Sequence, residues 1–120
     1  MKKVIFVLSI ILLITACEES NPTTSEQINT SWVFVANEGA YGSSNGSISM
    51  INEFGNVYQT ENIGDIVQSL EVYNNKLIVL INNSHKIKIY DITSEGLSMP
   101  GIEVSTEDSS PREMVIVDDK

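Results

Sequence analysis

QSLEVYNNKLIVLINNSHKIKIYD, Gln68 to Asp91, contains three strand patterns joined by two turns short enough to require antiparallel pairing. In the first, Leu70 and Val72 alternate with Ser69 and Glu71. Asn74-Asn75 follows as a tight turn, because asparagine tolerates positive φ. Leu77 to Ile81 is an unbroken apolar run, the pattern of a strand buried on both faces. After a turn over Asn83 to His85, Lys86 and Lys88 fall on one face of a third strand and Ile87 and Ile89 on the other, with Asp91 closing it.

The flanks repeat this character. Upstream, Trp32 to Asn37 predicts a strand, Glu38 to Asn45 (EGAYGSSN) a loop, Gly46 to Ile51 a strand, Gly55-Asn56 a turn and Val57 to Thr60 a short strand. No amphipathic helical period is found, only a candidate turn of helix over Ile63 to Val67. Ser20 to Thr30 is small, polar and proline-bearing, with too little apolar surface to pack.

The start of the chain is a processing signal. Lys2 and Lys3 precede the apolar run Val4 to Ile14, which is short for a membrane span. The run ends in Ile14-Thr15-Ala16-Cys17, which resembles a bacterial lipoprotein lipobox, where a thiol receives the lipid and becomes the new N-terminus. Cys17 is the single cysteine of the chain, so no internal disulfide can hold the fold. The competing reading is an ordinary secretory signal with a chance cysteine. Three segments are therefore expected: a signal peptide over 1–16, a flexible tether over 17–30 and a folded region over 31–120. Removing the first 16 of 120 residues leaves 104 and moves the formal charge from −9 to −11, since Lys2 and Lys3 go. Such an acidic chain repels nucleic acid and anionic head groups, which leaves the acyl chains on Cys17 as the membrane contact. Glu18-Glu19 is similar to acidic tethers of surface-exported lipoproteins, which implies the outer membrane or cell surface.

An internal repeat sets the expected architecture. QSLEVYNNK (Gln68 to Lys76) aligns with REMVIVDDK (Arg112 to Lys120) at an offset of 44, matching Leu70 with Met114, Val72 with Ile116, and Asn74-Asn75 with Asp118-Asp119. LIVLIN (Leu77 to Asn82) echoes WVFVAN (Trp32 to Asn37) at 45. This period, built from about four strands, is that of a β-propeller blade. The predicted fold is all-β: antiparallel four-stranded meanders of a partial propeller, about two blades, where closure takes at least about four. The chain is expected to stop mid-blade, with Glu113 to Val117 as a last strand carrying unpaired edge groups. An immunoglobulin-like sandwich is the alternative.

The residues resemble a known family, the YVTN-type, YncE-like β-propeller proteins, and within it lipoproteins of the Bacteroidetes type. The resemblance rests on VFVANEGAYGSSNGSISMI (Val33 to Ile51), GDIVQSLEVYNNKLIVLINNSHKIKIYD (Gly64 to Asp91) and SPREMVIVDDK (Ser110 to Lys120), in that order. It implies a surface or periplasmic propeller with further blades, and some members are likened to quinoprotein dehydrogenases.

Candidate functional residues cluster at one predicted blade end. Asn37, Glu38, Tyr41, Asp65 and Gln68 would form a ligand site if that end is shared, their carboxylates and amides suiting a hard cation. The competing reading is that these groups bond loop backbone, and no calcium-loop spacing is present. His85 is the single histidine, set in a turn without a second ligand, so neither a metal site nor a histidine-dependent triad is expected. Trp32, Phe34, Tyr41, Tyr58, Tyr73 and Tyr90 would serve as sheet core or as the floor of a sugar or peptide site. The expected function is an envelope-anchored binding or interaction module with a protein or small-molecule ligand, without cofactor or nucleic acid. The alternative is the N-terminal part of a propeller enzyme, a quinoprotein-like dehydrogenase or lyase.

Overall fold

The computed structural model describes residues 31–117 and contains strands without a helix there. The segments expected as signal peptide and tether, Cys17 included, and Asp118-Asp119 and Lys120 lie outside the described residues. The strands are β1 Val33–Asn37, β2 Ser47–Ile51, β3 Val57–Gln59, β4 Val67–Tyr73, β5 Lys76–Ile81, β6 Lys86–Thr93, β7 Gly96–Leu97 and β8 Ile102–Ser105. They make two antiparallel sheets, β1-β2-β3 and β4-β5-β6, the latter extended beyond β6 by β8 along its first half and by β7 along its second.

Local chemistry accounts for the second sheet. Asn74 and Asn75 both take positive φ, 47° and 59°, as a tight hairpin turn with the twist of its strands requires. The Asn75 side chain also donates to the Ile92 carbonyl at 2.8 Å, so the turn is tied to β6. A bulge at the start of β4 leaves Gln68 without a ladder partner between Val67, opposite Ile81, and Ser69, opposite Leu80.

The sheets stack through one core. Ile48 from β2, Val67 from β4, Leu77, Val79 and Ile81 from β5, and Tyr90 and Ile92 from β6 are buried together, with Trp32, Phe34 and Ala36 of the first sheet packed against them. The expectation of a β5 buried on both faces holds for Leu80 but not for Ile78, which is half-buried, because the first sheet covers only the odd-numbered face. Pairing of Leu77 with Tyr90, Val79 with Lys88 and Ile81 with Lys86 puts the lysines on the core face of β6. Their stems lie along it while both ammonium groups reach Glu103 Oε2, at 3.2 Å from Lys86 and 3.4 Å from Lys88. Ile87 and Ile89 face the other way with Leu80 and Val104.

The sheets are also joined by backbone. Gly46 and Gly64 form an isolated antiparallel bridge, with the Gly46 N–H donating to the Gly64 carbonyl at 2.9 Å and the Ile63 N–H to the Gly46 carbonyl at 2.9 Å. A Cβ on Gly46 would stand 2.8 Å from the Glu38 carbonyl oxygen and 3.0 Å from that of Gly64, so this approach needs glycine. The candidate turn of helix over Ile63 to Val67 is absent: the bridge ties Ile63 and Gly64 to Gly46 in extended pairing, and Ile66 sits at φ 61°, which breaks a right-handed turn. Glu113 to Val117, expected as a strand, pairs with none among the described residues.

Candidate functional site

The strand ends at Asn37, Ser47, Val67, Ile81 and Lys86 gather three loops at one end of the molecule, and Asp65 is their centre. The residue is 4% exposed. Its Oδ2 accepts from the Gly42 N–H at 2.8 Å and from Asn83 Nδ2 at 2.5 Å. Its own N–H donates to Ser84 Oγ at 2.8 Å, and its carbonyl accepts from the Asn83 N–H at 3.2 Å. Asp65 thereby ties the loop after β1 to the turn between β5 and β6. Buried Oδ1 has no partner among the described residues, which leaves the carboxylate room for one more donor.

The five residues predicted for this end separate on folding. Glu38 is exposed, and its carbonyl accepts from the Val67 N–H at 3.2 Å, so its backbone rather than its carboxylate joins the sheets. Tyr41 is 79% exposed at the tip of the same loop, next to the Gly42 amide that Asp65 holds. The loop is braced from within, with Asn45 Oδ1 accepting from the Ala40 N–H at 2.8 Å. Asn37 is drawn away: its Nδ2 donates to Ser47 Oγ at 3.1 Å and to Ser49 Oγ at 2.9 Å on the face of the first sheet opposite the core. Gln68 is exposed at the bulge.

The contacts of Asp65 are those of a group that bonds loop backbone and amides, and no three His, Cys, Asp or Glu side chains gather around a metal-sized space among the described residues. His85 is half-buried, with Nδ1 2.9 Å from the Ser109 carbonyl. Sequence reasoning missed Asn83 and Ser84 as partners of Asp65. The signal for them is slight, an Asn-Ser pair in a turn, which reads as turn chemistry wherever it occurs. Two perturbed groups lie on β6 and β8. Burial pushes the Tyr90 hydroxyl up to about 12, aided by the Glu103 charge, and that hydroxyl has no partner among the described residues. The hydrogen bond from Lys86 holds Glu103 below its ordinary value. A scan of protein-family models finds no match to the chain, and neither does a search of curated proteins.

Proposed function

We propose that the chain is a non-enzymatic, envelope-anchored binding module, the first blades of a β-propeller held at the membrane by lipid on Cys17. The observation that supports the propeller reading is a recurring junction. Just past β1, the Glu38 carbonyl accepts from the N–H of Val67 at 3.2 Å. Just past β5, Asn82 Nδ2 donates to the carbonyl of Pro111 at 3.1 Å. Val67 and Pro111 stand 44 residues apart, the spacing of the sequence repeat. Each time, the loop that follows the strand, at Glu38 and 44 residues on at Asn82, bonds a segment near the start of the following sequence repeat, as blades joined in series would require. The interaction surface is the end built on Asp65, where Tyr41 offers an aromatic side chain on a braced loop.

The test uses the full chain expressed in a bacterial host with an alkyne-bearing palmitate. Label on the wild type in the envelope fraction and none on Cys17→Ser is the expected result; an unlabelled wild type overturns the anchor. A photo-crosslinking residue at Tyr41 is expected to capture an envelope component that the same residue at Glu71 does not. Absence of any adduct at Tyr41 overturns the interaction surface.

A further inference from the structure

The opposite end of the molecule holds a cleft of about 330 Å³ between the two sheets. Trp32 and Tyr58 line it edge to face, ring centroids 6.0 Å apart and planes at 69°. Phe54 joins them, 80% exposed, on the turn between β2 and β3. Two carboxylates complete the lining, Glu53 from that turn and Glu95 from the turn between β6 and β7.

Both turns are held in place. Asn52 Oδ1 accepts from the N–H groups of Phe54 at 3.0 Å and Asn56 at 2.9 Å, so one side chain closes the first turn. Thr93 organises the second: its hydroxyl donates to the Gly96 carbonyl at 2.8 Å and accepts from the Glu95 N–H at 3.2 Å. The Thr93 carbonyl accepts from Trp32 Nε1 at 3.0 Å, which fixes the indole of one sheet to the hairpin of the other. The backbone of both turns and the Trp32 indole are thus held in place, while the side chains of Phe54, Glu53 and Glu95 stay in water.

Charge decides what the cleft can take. Neither Glu53 nor Glu95 is in an ion pair among the described residues, and the chain carries a formal charge of −9. Anions are repelled here. A neutral sugar would use the rings and leave two carboxylates uncompensated. A cation satisfies both features, since aromatic faces attract it at short range and carboxylates draw it from a distance. A weakly hydrated cation gains most, because a compact ammonium keeps its water. The geometry points to a binding site for a small organic cation bearing an alkylated ammonium group. This site stands on the cleft alone and needs neither the lipid anchor nor the blades.

Trp32 is the single tryptophan of the chain, so its fluorescence reports the cleft directly. Choline chloride titrated into the full chain in a non-ionic detergent is expected to change the emission saturably. The neutral isostere 3,3-dimethylbutan-1-ol is expected to bind at least about tenfold more weakly. Phe54→Ala should weaken choline about two- to fivefold, the ratio that an exposed cation–π contact supplies, with an unchanged far-ultraviolet dichroism spectrum. Glu53→Gln with Glu95→Gln should remove the salt dependence of binding, an independent reading if Phe54→Ala misfolds. Equal binding of the neutral isostere, a response to glucose but not choline, or no saturable response overturns the site. Competition by phosphatidylcholine vesicles would assign the ammonium group to a lipid headgroup, and its absence to a free solute; both support the site.

Discussion

The two ends of this molecule use polar and aromatic groups in opposite ways. At the Asp65 end, a buried carboxylate is surrounded by N–H donors from two loops, and the chain satisfies most of its own chemistry. At the Trp32 end, hydrogen bonds of equal quality hold only the backbone of the turns, and Phe54, Glu53 and Glu95 are left facing solvent. A network closed on itself stabilises the fold and fixes the loop that presents exposed Tyr41, whereas groups without partners are themselves available to a ligand. Polar residues at a strand end therefore do not by themselves mark a binding site; what matters is whether neighbouring loops have already taken their hydrogen bonds.

Substitutions can break this contrast. The largest effect is expected at Asp65→Ala, which strands the Gly42 and Asn83 donors and should lower unfolding free energy by about 3 kcal/mol in urea. Asp65→Asn keeps an oxygen in the Oδ2 position for both donors and should cost less than half as much. Equal losses for the two would mean that charge, and not acceptor geometry, holds the loops. Tyr90 gives a pH reading midway between the ends. Its folded value lies above the unfolded one, so its contribution is full below about pH 10 and is lost as pH rises toward about 12. The unfolding free energy should fall across that range by about 2 to 3 kcal/mol. Tyr90→Phe should flatten the fall without loss at neutral pH, because the hydroxyl has no partner to lose.

Smaller effects are expected at the open end. Trp32→Phe removes the bond to the Thr93 carbonyl and should cost about 1 kcal/mol in thermal unfolding. Phe54→Ala should stay within about 0.5 kcal/mol of wild type, and a loss as large as that of Asp65→Ala would erase the distinction between the ends. The smallest effect belongs to Glu103→Gln. Its carboxylate value is lowered by Lys86, so its contribution is present above the ordinary carboxylate range and lost as pH falls through the lowered value. Because Glu103 is half exposed, a few tenths of a kcal/mol is expected, vanishing in high salt.

Much of the fold was legible because strand patterns are local. Alternation at Leu70 and Val72, the Asn74-Asn75 turn and the apolar run of β5 led to the β4-β5-β6 meander with the right order and turn conformation. The short strands β7 and β8 escaped notice, since Gly96–Leu97 and Ile102–Ser105 offer too few residues to show a period. Of the site residues, Asp65 was legible as a carboxylate at a predicted blade end, but its partners Gly42, Asn83 and Ser84 come from up to 23 residues away, and no spacing rule connects them. The aromatic cleft was half legible: Trp32 and Tyr58 stand out in the sequence, whereas Phe54, Glu53 and Glu95 read as ordinary turn residues.

By itself, then, the sequence determined the all-β character of residues 31–117, the central meander and its turn, because backbone propensity and two-residue alternation act over a few neighbours. It also determined that β6 has a lysine face and an isoleucine face. Only the tertiary structure decided which of them meets the core: the register of β5 against β6 turned Lys86 and Lys88 inward, where Glu103 on β8 could neutralise them. The same holds for the two ends. Whether a carboxylate becomes the knot of three loops or the rim of an open cleft depends on which distant backbone arrives beside it, and that is settled by packing rather than by its neighbours in the chain.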